Sequence, residues 1–298
     1  MSNTLNETRF LMKKYKIKAN KGLGQNFLID DNVLSDIVEG ANVEKEDLII
    51  EIGPGLGNLT KLLLEKAKKV ICIELDKKMI KILHDRFIAY NNLDIINEDI
   101  LKIELNELIK DEIEKEKYNS VKIVANLPYY ITTPIMMKLI ENDIDIESIT
   151  VMVQKEVAER LIAIPGTKET GAITYTVFYY CESEKIREVG KECFIPEPEV
   201  MSEVINLKLR KNSFIDVKDK NVMFKIIKSA FMQRRKTLNN SLTSVGIFKS
   251  KEQCVNALKQ IGIREDARPE SLSLDDFAKL TNYFLNEIIK EKDNNKKK

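Results

Sequence analysis

Leu48-Ile49-Ile50-Glu51-Ile52-Gly53-Pro54-Gly55-Leu56-Gly57-Asn58-Leu59-Thr60 decides how this 298-residue chain folds. Apart from Glu51 its first five residues are apolar, and three of them are isoleucine, the composition of a buried strand. Three glycines then end the strand, and Leu59, Leu62, Leu63 and Ala67 recur at helical spacing. A second apolar run, residues 70–76, follows with Glu74 and Asp76 at its carboxyl end. Strand, glycine turn, helix and strand in that order begin an open parallel sheet, which leaves a crevice at its strand tips. A nucleoside fits such a crevice: Gly53 and Gly55 let it approach the backbone, and Glu74 accepts from both ribose hydroxyls.

Two nucleoside ligands suit a turn of this kind. A nicotinamide dinucleotide needs free N–H groups at the helix start for its pyrophosphate, and Pro54 removes one. S-adenosylmethionine carries no phosphate and a cationic sulfonium, which suits an acidic pocket. Glu51, Glu74 and Asp99 stand at successive predicted strand ends, the third strand being residues 93–100. Net charge is only +1, yet residues 22–209 hold 35 Asp/Glu against 22 Lys/Arg. The two ends are basic, with six cations against one acid over residues 1–21 and 20 against 11 over residues 210–298. A polyanion would be gripped by the ends while the acidic middle holds something else.

A fourth strand, residues 121–125, delivers Asn126-Leu127-Pro128-Tyr129-Tyr130. Asn126 and nearby carbonyls can accept from an exocyclic amine, a tyrosine ring can stack on a base, and Pro128 stiffens the turn. The cluster alone reads equally as a strand end with turn residues. Upstream, residues 5–15 predict a short helix. Gly22 and Gly24 let the chain bend, Gln25 and Asn26 can hydrogen-bond to a ligand, and Phe27 and Leu28 can cover its apolar face. Asp30 or Asp31 caps the next helix.

Downstream, Thr132 or Thr133 is expected to cap a helix over 134–140. Residues 148–153 predict a fifth strand and 154–162 a helix. Residues 170–181 read as strand by propensity, but the alternation of the sheet asks for a helix, which is the expectation. Strands over 185–192 and 204–210 close the sheet. From about residue 215 the pattern is purely helical, over 221–245, 250–261 and 274–289. Arg234-Arg235-Lys236 in the first of these is expected to meet phosphate, the alternative being a solvated helix face.

Composition sets limits. At 43% hydrophobic and 32% charged the chain is ordinary for a globular protein, large enough for one domain of about 200 residues and a smaller one. No apolar run approaches the roughly 18 residues of a membrane span, and without a signal-peptide core the expected location is the cytoplasm. Cys72, Cys181, Cys193 and Cys254 form no close pair of the kind zinc or redox sites use. His84 is the only histidine, which excludes most triad and zinc hydrolase schemes; methyl transfer needs no such base.

Taken together, Gly24 to Leu28, Glu51 to Gly57, Asn126 to Tyr130, Gln154 to Ala158, Phe194 with Pro196, Pro198 and Val200, Phe231 with Gln233 to Leu238, and Arg268 to Glu270 with Leu272 carry a resemblance. The chain resembles the ribosomal RNA adenine dimethyltransferases, and among them the bacterial 16S type. The resemblance implies an α/β fold, a Rossmann-like seven-stranded class I methyltransferase sheet with a smaller all-α C-terminal domain. It places cofactor contacts on Asn26, Leu28, Gly53, Glu74, Asp99 and Asn126, to which the residues themselves add Gln25, Glu51 and Gly55. Asn126, Leu127, Pro128 and Tyr129 would hold the target amine. The implied partner is 16S ribosomal RNA in the small (30S) subunit or its precursor, met by a monomer. The expected division is an arm over the cofactor site (1–29), the methyltransferase domain (30–214), a helical RNA-binding domain (215–290) and a disordered tail (291–298). Met201-Ser202 departs from the family, which commonly has an acid before the serine.

Overall fold

The computed structural model describes residues 3–142, 144–233 and 236–296. Among the described residues nine strands form in chain order: β1 Phe27–Leu28, β2 Leu48–Ile52, β3 Lys69–Glu74, β4 Leu93–Asn97, β5 Val121–Asn126, β6 Ser148–Gln154, β7 Cys181–Val189, β8 Phe194–Ile195 and β9 Ser202–Leu209. Seven of them make one sheet in the order β4-β3-β2-β5-β6-β9-β7. From β4 to β6 neighbours run parallel; β9 is antiparallel to both β6 and β7. The chain winds outward from β2 through β3 to β4, then returns to β5 on the other flank. The order therefore reverses between β2 and β5, and the crevice of an open sheet opens at their carboxyl ends.

Both strands at that switch are apolar because both faces are covered: Leu48 to Ile52 and Val121 to Ala125 are buried throughout. Helices Asp31–Gly40 and Asn58–Lys66 pack there, their Val33, Leu34, Ile37, Leu59 and Leu63 meeting Ile49, Cys72 and Val124. Asp30 is the N-cap, accepting from Asn32 N and Val33 N at 3.0 Å. A two-strand ribbon, β1 with β8, pairs Phe27 with Ile195 and Leu28 with Phe194 and ties the start of the chain to the loop before β9.

Contacts gather the chain into two units, Met1–Glu159 with Cys181–Leu209, and Arg160–Tyr180 with Arg210–Lys298. The linear boundary expected at residue 214 therefore does not follow the packing. Residues 170–181, expected as a helix within the sheet domain, do form helix Ala172–Tyr180, but Tyr175 and Tyr179 pack on Met223, Phe224, Ile227 and Phe277 of the helical unit. Ile173 to Val177 are all buried, so the helix has no polar face and no helical periodicity to read.

Several elements differ from expectation. The span 221–245 is two helices, Lys220–Phe231 and Leu238–Ser244, because the chain turns at Met232 and restarts behind Thr237, with Leu238 N bonded to Ala267 O at 2.8 Å. Lys236 is thus exposed in the break and not on a helix face, while Arg234 and Arg235 lie outside the described residues. The strand expected over 93–100 stops at Asn97, and Asp99 sits in the following turn, its Oδ1 accepting from Leu101 N. The seventh strand starts at Cys181 directly after a helix, four residues before the expected 185–192. Thr132 is the first residue of helix Thr132–Glu141 and not its cap; its hydroxyl donates back to Pro128 O. The final helix, Leu274–Lys296, runs through residues expected as a disordered tail, of which Glu291, Lys292 and Lys296 favour a helix and Asp293, Asn294 and Asn295 do not; residues 297 and 298 lie outside the described ones. No helix among the described residues is long and apolar enough to cross a membrane.

Candidate active site

One cleft at the sheet's switch point is lined by Gln25, Asn26, Leu28, Glu51, Gly53, Gly55, Glu74, Asp99 and the Asn126 to Tyr129 turn. The sequence scatters them over a hundred residues; the tips of β2, β3 and β5 and the turn after β4 bring them together.

The glycine loop forms its floor. Gly53, Gly55 and Gly57 have φ of 67°, 58° and 83°, left-handed values that a side chain resists. Glu74, 7% exposed, accepts from Gly55 N at 3.1 Å and Asp76 N at 2.8 Å, so it shapes the loop as well as charging the wall. Desolvation raises its pKa, against the lowering pull of those N–H donors. Glu51 is 2% exposed, and its Oε2 accepts from Thr60 Oγ1 at 2.6 Å and Cys72 Sγ at 3.4 Å. Burial pushes its carboxyl up to about 7.

Above lies the segment from Gly24 to Leu28. Gln25 Nε2 donates to Asp76 Oδ2 at 2.9 Å, and Asn58 Nδ2 donates to Leu28 O at 2.8 Å. Asn126 Nδ2 donates to Asn26 O at 3.3 Å, which leaves Oδ1 as the acceptor of that amide. Pro128 O already accepts from Ile131 N at 3.3 Å and Thr132 Oγ1 at 3.1 Å, so Leu127 O is the better acceptor for a further donor. Tyr129 is fixed by a 2.5 Å hydrogen bond between its hydroxyl and Ser202 Oγ, and burial raises its pKa. Tyr130 remains 53% exposed at the same cleft, its ring against Gly24.

Sequence reading overlooked Thr60 and Cys72 under Glu51, Asn58 under Leu28, and Ser202 behind Tyr129. Asn58 stood inside the quoted loop and was legible as a polar residue at a helix start. Ser202 is 73 residues from Tyr129 and meets it only because β9 inserts beside β6.

A "Ribosomal RNA small subunit methyltransferase A" from Clostridioides difficile is 47% identical over 283 residues, covering 95% of this chain and 96% of that protein. One of the same description from Clostridium botulinum is 48% identical over 274 residues, covering 92% and 97%. A dimethyladenosine transferase from Plasmodium falciparum superposes with a TM-score of 0.70 at 28% identity, covering 89% of this chain and 98% of that one. The 23S rRNA methyltransferase ErmE, at TM-score 0.64 and 22% identity over 87% and 99%, shares the fold. With the family model "Ribosomal RNA adenine dimethylase" matching residues 16–286, the chain belongs to that family and is an S-adenosylmethionine-dependent methyltransferase.

Proposed function

We propose that the enzyme places two methyl groups on N6 of each of two adjacent adenines in the 3′-terminal hairpin loop of 16S ribosomal RNA. It works as a cytoplasmic monomer on the immature small subunit, late in its assembly. The small-subunit target is supported by the name its relatives carry. The chemistry is supported by one observation above the rest: the acidic, glycine-floored wall and the Asn126 to Tyr129 turn line a single cleft.

The donor set fits S-adenosylmethionine. Glu74 keeps a lone pair on each carboxylate oxygen for the ribose hydroxyls. Asp99 would accept from the adenine amine, in a part of the cleft that Leu75 and Ile100 also line. Glu51 supplies negative potential for a cation. When bound, the cofactor supplies a methyl group on positively charged sulfur, which becomes a neutral thioether once the methyl is lost. Everything else falls to the protein. The target adenine leaves its stack, at a cost of about a few kcal/mol, and Tyr129 stacks on it, worth about 1–3 kcal/mol. Asn126 Oδ1 and Leu127 O accept from the two N6 hydrogens, which turns the nitrogen lone pair toward the methyl carbon. The amine proton departs to water after the transfer. Alignment supplies much of the acceleration. A second round requires the slot to admit an amine that already bears one methyl, with only one hydrogen left to donate.

Arg234, Arg235 and Lys236 are proposed to meet RNA phosphates. The test is tritiated-methyl transfer to immature small subunits, with primer extension locating the product on small- and large-subunit RNA. Asn126→Ala should lower turnover at least about a hundredfold while cofactor affinity falls far less, and neutralising the basic triplet should flatten the salt dependence of RNA binding. Unchanged turnover of Asn126→Ala, or product on the large-subunit RNA, would overturn the reading.

A further inference from the structure

We infer that Arg86 is a positioning residue for the cofactor loop, gripping Leu56 and Asn58 while Glu7 of the N-terminal helix holds the arginine in place. The need for such a grip follows from the loop itself. With three left-handed glycines in five residues it has little conformational preference of its own, and a floor that must meet a ligand has to be held from behind.

Helix Lys77–Arg86 does the holding. A Cβ on Gly57 would lie 2.6 Å from Phe87 Cε2 and 2.8 Å from Leu83 Cδ2, so the loop backbone rests directly on this helix and the residue after it. Arg86 Nη1 donates to Leu56 O and, at 3.0 Å, to Asn58 Oδ1. Its Nη2 pairs with Glu7 Oε1 at 2.9 Å. The arginine side chain is 7% exposed and the Glu7 side chain 30%. Asn58, with its oxygen taken by Arg86, turns its Nδ2 to Leu28 O and to Thr8 Oγ1 at 2.9 Å. One buried cation thus knots together the N-terminal helix Asn3–Lys14, the cover strand β1 and the glycine loop. Leu56 and Asn58 line the cleft, and Arg86 acts through them. A guanidinium so far from water has to be offset by a carboxylate, which gives the otherwise plain helix Asn3–Lys14 a part in cofactor affinity.

The inference rests on the cofactor reading given above. The experiment measures the S-adenosylmethionine Kd by calorimetry, and kcat at saturating cofactor, for Glu7→Ala, Arg86→Met and the double variant. The control is Asn92→Ala, at the opposite end of the sheet, where Nδ2 donates to Leu64 O and Ala67 O. Each single variant should weaken the cofactor about tenfold, the double no more than Arg86→Met alone, with kcat within about threefold of the parent. Asn92→Ala should leave Kd unchanged whatever it does to the melting midpoint. An unchanged Kd in Glu7→Ala, additive losses in the double variant, or an equal loss in the control would overturn the assignment. The Glu7 side chain is 30% exposed, and Glu7→Gln, which keeps an oxygen for Arg86 Nη2, carries the test if Glu7→Ala or Arg86→Met does not fold: it too should weaken Kd, and an unchanged Kd would overturn the assignment. Absence of cofactor binding by the parent chain would instead defeat the proposed function.

Discussion

A carboxylic acid that titrates near neutrality under the glycine loop makes that loop sensitive to pH. For Glu51 the cause is burial, with Thr60 and Cys72 pulling the other way, and the result is about 7 against an ordinary 4.5. Between those values the folded chain keeps a proton that the unfolded chain has released. This group's contribution to stability is therefore present below pH 4.5 and lost as pH rises toward 7. Cofactor affinity should move oppositely, because the ionised form attracts a sulfonium. Calorimetric Kd for S-adenosylmethionine should tighten about fivefold from about pH 6 to about pH 8, and the slope should vanish in Glu51→Gln. A parent profile as flat as that of the variant would remove Glu51 from the site. Glu51 was legible in the sequence as an acid at a strand tip. That Thr60 and Cys72 would occupy one of its oxygens was not, because each reaches it from a neighbouring element.

Among the elements, legibility followed how many faces each one buries. Strands β2 and β5 are buried on both sides and read as apolar runs interrupted only by Glu51 and Lys122. Helices Asp31–Gly40 and Asn58–Lys66 bury one side and show it as periodicity. Helix Ala172–Tyr180 buries nearly everything, so its β-branched and aromatic residues mimic a strand. Only the need to cross between strands argues for a helix. Its hold on the helical unit is specific: Tyr175, fully buried, donates from its hydroxyl to Leu272 O at 2.7 Å and Pro269 O at 3.1 Å and meets Phe277 edge-on. Tyr175→Phe should cost about 1–2 kcal/mol by removing the donor to Leu272 O, while Pro269 O keeps its bond from Leu272 N. Urea unfolding reads that loss, and cofactor Kd should stay at its parent value. The break after Phe231 was invisible for a different reason. Phe231 and Leu238 are seven residues apart, as on one helix face, and the bond that restarts the chain comes from Ala267, far along the sequence.

At the scale of the whole molecule, the helical unit takes in a stretch, Arg160–Tyr180, that precedes the last two strands of the sheet. A linear reading finds the change of pattern near residue 215 and misses the earlier excursion. A chain ended at residue 214 would keep Tyr175 and Tyr179 without Met223, Phe224, Ile227 and Phe277 to pack on. It should aggregate or elute as a swollen species on size exclusion; a monodisperse, cofactor-binding fragment would contradict that packing. Strand order has a further consequence, for biosynthesis. β9 lies between β6 and β7 although it is made after both. As the nascent chain emerges, β7 has no neighbour to join and the flank of β6 stays open. Residues 202–209 then arrive and slot between them, so the last strand translated is the one that closes the sheet.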